Sequence, residues 1–463
     1  MAGQAVSAIP EAASAFQQAA KVTATRFWSH YLRSIMAPLF KSVGAYTESE
    51  QESHLQFMDE HIATNLGPLP NDPHSPYVVP AAIVGAPFDP SINLTSFGSG
   101  KVRFDYTVVE PIERPKEDPF SENLAREMLH KLASVVGADT RWMDSLMSSL
   151  YLSPAETDAL LASMPPQLLC PPACIGMDFD GPKRTLKAYI PGVRKALATG
   201  QSSAELVLEA IRSLKPLGSK LAPAADLLAE YLANCKHDII LLLAGIDCID
   251  PTRHKNARVK CYLHSKANSF SVVRDVMTLG GRLNDEASLK RVDILRSIWP
   301  LLLNEPEDTK QIDDDWSKPE RIKEKLYTGI RYTVEMTPGK KIPETKLYMP
   351  VFQYTETTDI TEKNFENTLK KLNIEWGHNG KYGEVMEAVL KRLYTDFQFL
   401  FIHRGEGRVH NVVFCEANKA VKWHNFLWKG NLLFVLMHYF LLLSQVFYPA
   451  VVLRLAIGEL EME

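Results

Sequence analysis

Apolar residues recur along this chain in two alternating rhythms. In "ATRFWSHYLRSIMAPLFKSVG" they fall at Phe27, Tyr31, Ile35 and Leu39, the four-residue spacing of one helical face. In "NARVKCYLHSK" the rhythm is two. Val259, Cys261 and Leu263 alternate with Arg258, Lys260 and Tyr262. Successive side chains of a strand point to opposite faces, so one face here is apolar and the other carries two cations and a phenol. Alone, the stretch reads as an amphipathic strand with a wet basic face.

The two rhythms repeat in a fixed order. Helical spacing runs through "ESEQESHLQFMDEHIATNLG", "SENLAREMLHKLASVVG", "SSAELVLEAIRSL", "APAADLLAEYLANC", "SFSVVRDVMTLGGRL", "NDEASLKRVDILRSIWPLLL", "ITEKNFENTLKKLNI" and "KYGEVMEAVLKRL". Between these lie strand pairs: "YVVPAAIVGAPFDPSINLTSF" with "SGKVRFDYTVVEP", "CIGMDFDG" with "RTLKAYIP", "DIILLLAGIDCID" with "ARVKCYLHS", "KLYTGIRYTVEMTPG" with "KLYMPVFQYT", and "FQFLFIHRG" with "GRVHNVVF". The unit is helix, strand, strand, helix. Ten strands in consecutive hairpins predict an α+β fold, a ten-stranded antiparallel β-barrel surrounded by helices. Closure removes the sheet's edges, and a barrel this wide encloses a chamber. Residues 1–20 are expected to be a disordered N-terminal segment and 21–425 a single barrel domain. Residues 426–463 form an apolar C-terminal tail.

Composition narrows the class. The chain has 463 residues, 46% hydrophobic and 23% charged, enough for a sizeable core. A net charge of −4 argues against nucleic acid as a partner. The six cysteines lack zinc-ligand spacing and read as apolar fillers of a reducing compartment. No secretory signal opens the chain, so a cytoplasmic location is expected. The stretch 432–453 has no Asp, Glu, Lys or Arg and is long enough to span a bilayer. It admits three readings: a membrane tether, a buried apolar tail, or an extension outside the working fold.

The basic alternation is not confined to one strand. Lys187 and Tyr189 stand two apart in "RTLKAYIP", as do Lys346 and Tyr348 in "ETKLYMPV", and Arg103 shares a face with Asp105 in "GKVRFDYTV". If helices cover the outside, these faces point inward. A ring of buried cations is too costly to leave unpaired, so a highly charged anion is expected to enter, and a diphosphate fits. Arg offers it a planar fork and Lys a point charge. Tyrosine faces beside it suit a carbocation left when the diphosphate departs. No nucleotide-binding glycine motif is present. The acidic run Asp313 to Asp315 reads as a solvated loop, so no metal site is expected and the protein's own cations take the metal's place.

Taken in order, "APFDPSIN", "VRFDYTVVEP", "LKAYIP", "ARVKCYLHS", "DVMTLGGR" and "KLYMPV" resemble the fungal aromatic prenyltransferases of the dimethylallyl tryptophan synthase family, over roughly residues 20–413. The resemblance implies a barrel enzyme with no cofactor and no required metal. It would move a dimethylallyl group from dimethylallyl diphosphate to an aromatic carbon of an indole or tryptophan-derived small molecule, in secondary metabolism. A hydroxylated polyketide or xanthone is the alternative acceptor, and an inactive anion-binding barrel the alternative outcome. By position, Arg103, Lys187, Arg258, Lys260, Lys346 and Arg404 bind diphosphate, and Tyr189, Tyr262 and Tyr348 shield the cation. Asp89 stands where the family has Glu and accepts the substrate's N–H or O–H hydrogen. Lys187 is the candidate base for the ring proton. Two departures stand out: Gln398 replaces a shielding Tyr, and the tyrosine expected near Val413 is missing. A homodimer and a membrane contact through 432–453 remain open.

Overall fold

A computed structural model describes residues 8–69, 77–78, 87–94, 100–111, 115–163, 170–305, 313–321 and 329–403. Eight strands form one antiparallel sheet in which every strand pairs with its neighbour in sequence. They are β1 (Phe88–Leu94), β2 (Gly100–Thr107), β3 (Cys174–Asp180), β4 (Lys183–Pro191), β5 (Ile239–Asp247), β6 (Val259–Ser265), β7 (Ile330–Met336) and β8 (Glu344–Tyr348). The tightest hairpin joins β3 to β4, where Gly181 takes φ +54°, a conformation that favours glycine. A two-residue ladder pairs Tyr77–Val78 with Glu110–Pro111 outside this sheet.

Helices fill the connections. Before β1 lie α1 (Ala8–Val43) and α2 (Glu48–His61), the latter opened by a reciprocal Thr47–Glu50 capping box. Between β2 and β3 lie α3 (Glu122–Val136), α4 (Arg141–Leu150) and α5 (Pro154–Ser163). Between β4 and β5 lie α6 (Val193–Thr199), α7 (Ser203–Arg212) and α8 (Gly218–Asn234). Then come α9 (Phe270–Met277) and α10 (Glu286–Leu302) between β6 and β7, and α11 (Thr358–Lys371) and α12 (Lys381–His403) after β8.

The core sits between the outer face of the sheet and this helical layer. Val259, Cys261 and Leu263 of β6 are fully buried there, as are Leu186, Ala188 and Ile190 of β4 and Tyr332, Val334 and Met336 of β7. A buried position on the outer face loses its apolar area to water on unfolding, at about 25 cal/mol per Å². That driving force fixes the parity of each strand, because a one-residue slip would turn the whole apolar set inward. The two-residue rhythm therefore sends Lys260 and Tyr262 to the inner face.

The sheet curls. Arg331 of β7 has Asp89 of β1 as the carboxylate that most offsets its burial, although five strands separate β7 from β1 in the sheet. The described residues give a curled eight-stranded sheet whose two edge strands do not pair with each other. The expected ten-stranded barrel needs correction at one hairpin. "FQFLFIHRG" is not a strand: residues 397–403 continue α12. Beyond Gly383 in its first turn, no Gly or Pro interrupts the helix that begins at Lys381. Asp396 closes onto it, taking a 2.7 Å hydrogen bond from Arg392 one turn earlier and a 2.6 Å bond from Ser34 of α1. Continuation of an established helix adds a hydrogen bond per residue without a new nucleus, so the apolar run extends it. Gln398 thus lies on a helix. Arg404, "GRVHNVVF" with Val413, and the 432–453 stretch lie outside the described residues. Among the described residues, no helix is long and apolar enough to cross a membrane. At the other end, α1 starts at Ala8, inside the segment expected to precede the domain.

Candidate active site

The inner face of the sheet carries a ladder of opposite charges. Arg103 on β2 donates through Nε and Nη2 to the Asp178 carboxylate on β3, the second bond at 2.8 Å. Lys187 Nζ on β4 lies 3.0 Å from Asp178 and in closer contact with Asp247 at the end of β5. Arg258, just before β6, stands 3.5 Å from Asp247 and donates at 2.8 Å to Glu335 on β7. Glu335 also meets Lys260 at 3.5 Å and Lys346 of β8 at 3.2 Å. Five cations and three carboxylates thus alternate across the strands, leaving two positive charges uncompensated within the ladder.

Burial makes these pairings strong. Burial acts to raise the Asp178 carboxyl, but Lys187 and Arg103 overcome it and hold the group far below the usual carboxylate range. The same contest, against Lys187, Lys260 and Arg258, holds Asp247 far below it. Glu335 is lowered to about 2: burial opposes, and Lys260, Lys346 and Arg258 win. Lys260 shows the other side of the contest. Its ammonium is lowered to about 7, because burial outweighs the opposing pull of Glu335. An ordinary lysine titrates near 10.4.

Next to the ladder, toward one end of the strands, the face turns aromatic. Tyr189 and Tyr262 meet edge to face with ring centroids 5.6 Å apart, and Tyr262 and Tyr348 lie 6.2 Å apart. Two glycines make room for them. A Cβ on Gly245 would lie 2.7 Å from Tyr189 Cδ1 and 3.0 Å from Tyr262 Cε2. A Cβ on Gly176 would clash with Asp105 Oδ1 and lie 3.0 Å from Tyr189 Cε2. The Tyr189 hydroxyl donates to Asp105 at 3.1 Å. Asp105 pairs in register with Asp89, so both carboxylates share the inner face beside the tyrosines. Such a face offers an anion site, an aromatic wall and a hydrogen-bond acceptor side by side.

Comparison with known proteins gives the family. The tryptophan dimethylallyltransferase profile matches residues 24–384. Indole prenyltransferase tdiB of Emericella nidulans is 58% identical over 372 residues, covering 80% of this chain and 89% of that protein. This chain belongs to the tryptophan dimethylallyltransferase family. It is a prenyltransferase. Indole diterpene prenyltransferase terF of Tolypocladium album is 34% identical, covering 81% of this chain and 90% of that one. The crystal structure of NotF in complex with brevianamide F and DMSPP shares the fold at a TM-score of 0.63 and 20% identity, over 78% of this chain and 86% of NotF.

In this prenyltransferase the sheet brings together Arg103, Lys187, Arg258, Lys260 and Lys346 through shared carboxylates, and Tyr189, Tyr262 and Tyr348 as a contiguous wall. Asp89 is on the inner face, one strand pairing from Asp105. Sequence reasoning missed the carboxylates. Asp178, Asp247 and Glu335 sit in "GMDFD", "GIDCI" and "TVEM" with the same two-residue parity as the cations, which was the available signal. It also missed Gly176, Gly245 and Arg331. Burial lowers the Arg331 guanidinium, with Asp89 opposing. Cys174 is near it, and burial pushes that thiol up to about 12. Two inner-face hydroxyls, Ser91 opposite Arg103 and Thr333 opposite Lys346, have no hydrogen-bond partner among the described residues. The acidic run behaves as a structural loop: Asp314 pairs with Arg274 and, at 2.8 Å, with Arg296. Among the described residues, no group of three or more His, Cys, Asp or Glu is arranged to hold a metal.

Proposed function

We propose that this enzyme transfers a dimethylallyl group from dimethylallyl diphosphate to an aromatic carbon of an indole-containing small molecule, without a metal. The observation that carries the reading is the shared inner face: a charge ladder with an excess of cations, bordered by three tyrosines and then by Asp89 and Asp105. Arg103, Lys187, Arg258, Lys260 and Lys346 bind the diphosphate, with Arg404 as a further ligand. Ser91 and Thr333 offer it hydroxyl donors. Closure of the sheet into a barrel, which shields the chamber from water, is part of this reading. The names of the relatives, indole and indole diterpene prenyltransferases, support the acceptor class.

The chemistry follows from charge. The allylic C–O bond lengthens as negative charge gathers on the diphosphate, and preorganised cations stabilise that change more than they stabilise the bound reactant. The allylic cation forms against the faces of Tyr189, Tyr262 and Tyr348, which also keep water away. Asp89 accepts the acceptor's N–H hydrogen bond and directs the ring toward the cation. Arg331 faces Asp89 across the lumen and fixes that carboxylate. The new C–C bond leaves one proton to remove from the ring carbon. Lys187, held by Asp178 and Asp247, hands a proton to the departing diphosphate, and the amine so formed takes the ring proton. Atoms and charge then balance: prenylated arene and protonated diphosphate leave, and Lys187 is restored.

Incubation of the purified chain with dimethylallyl diphosphate and a panel of indoles and phenols, with and without EDTA, tests the reading. Prenylated indole that forms equally with EDTA is expected. Turnover of phenols alone would shift the acceptor to a hydroxylated polyketide or xanthone. Bound but unconsumed dimethylallyl diphosphate would leave only an anion-binding barrel.

A further inference from the structure

Glu335 meets more cations than either other carboxylate of the ladder. Arg258 donates to Oε2 at 2.8 Å, and Lys346 and Lys260 stand 3.2 and 3.5 Å from Oε1. The residue is only 3% exposed. It ties the last described strand, β8, to β6 across β7. A buried ammonium with no counter-charge loses its proton sooner than it stays ionised. A site that takes diphosphate, however, needs its ammonium groups charged before the ligand arrives. The expectation from sequence was that the entering anion alone would compensate the cations. The ladder shows resident carboxylates doing so already.

We propose that Glu335 is a positioning residue of the diphosphate site, the resident counter-ion that keeps Lys260 protonated and in place while the site awaits its ligand. The inference rests on the reading that the ladder takes diphosphate. Lys260 is the group most exposed to this effect. It is lowered to about 7: burial is the largest cause, Lys187 from β4 and Arg258 from the start of β6 push the same way, and Glu335 from β7 and Asp247 from β5 already oppose them. Lys346 from β8 shares the Glu335 carboxylate. Because Lys260 is lowered, its charge is present below about pH 7 and is lost as pH rises through that value. Where only the charged form binds, affinity falls by about tenfold per pH unit above it. Without Glu335 that loss begins at lower pH.

Titration calorimetry with inorganic diphosphate in EDTA, from pH 6 to 9, tests this on the full chain. Wild type, Glu335→Gln and Glu335→Asp are compared, and the ligand's own ionisation cancels in the ratio of their curves. The Glu335→Gln dissociation constant is expected to exceed that of wild type by at least about tenfold above about pH 8, which corresponds to one unit of pKa. The ratio should narrow toward the acid end of the range, and Glu335→Asp should recover the wild-type profile. A ratio independent of pH, or tighter binding by Glu335→Gln throughout, overturns the inference and leaves Glu335 a structural or competing group. If Glu335→Gln does not fold, Lys260→Met serves instead. It should bind more weakly, with a ratio to the wild-type constant that shrinks as pH rises through about 7, and a ratio independent of pH overturns the inference. A folded wild-type chain that binds no diphosphate at any pH overturns the diphosphate reading itself, an outcome distinct from the others.

Discussion

The two faces of β6 share one backbone and solve burial in opposite ways. Outward, Val259, Cys261 and Leu263 are fully covered by the helical layer. Inward, Lys260 is 5% exposed, and Tyr262 stands beside it. The outer face is stabilised by packing, which any apolar side chain of the right size supplies. The inner face is held by pairing, which is specific: each cation there answers to a particular carboxylate on the next strand. The outer face therefore sets the fold, and the inner face is left for chemistry at a cost in desolvation that the outer face must offset. Replacing buried ion pairs with apolar residues is often neutral or stabilising, so a fold that keeps three carboxylates and five cations inside is not doing so for stability.

That contrast can be broken from either side. The largest effect on activity should come from Arg103→Ala, which removes one of the proposed phosphate ligands and leaves Asp178 paired with Lys187 alone. We expect kcat/KM for dimethylallyl diphosphate to fall by about 10²–10³, equivalent to roughly 3–4 kcal/mol of transition-state stabilisation, read by steady-state assay. On the outer face, Leu263→Ala should cost about 2–5 kcal/mol of stability in urea unfolding while kcat of the remaining folded protein stays near wild type. A comparable loss of kcat would mean that the two faces are not separable. Gly245→Ala acts between these extremes. Its Cβ meets Tyr189 and Tyr262, so it should shift the wall, cost about 1–3 kcal/mol by overpacking, and raise the yield of dimethylallyl alcohol from water capture. Arg331→Met should have the smallest effect. A few-fold rise in KM for the aromatic acceptor is expected, with KM for dimethylallyl diphosphate unchanged. A change in the latter would move Arg331 into the diphosphate site.

Much of this was legible in the chain. The hairpins at β3–β4, β5–β6 and β7–β8 fall where alternation predicted them, because an apolar outer face leaves a period of two that survives in sequence. Lys187, Lys260 and Lys346, each two residues before a tyrosine, were visible for the same reason. "FQFLFIHRG" misled because a short apolar run suits a strand or a helix, and only its continuity with α12 decides between them. The carboxylates were harder. Asp178, Asp247 and Glu335 carry the right parity, but parity says only that a residue faces inward. Which cation it meets depends on strand register.

By itself, then, the sequence determined the eight strands of the sheet, the face each of their side chains takes and the kind of chemistry on that face, since these rest on local alternation and burial. The tertiary structure alone decided the partners. Glu335 meets Lys260 because β7 pairs with β6 in one register, and Arg331 faces Asp89 because the sheet curls. Charge pairing is a property of distance between strands far apart in the chain, and no local pattern encodes it.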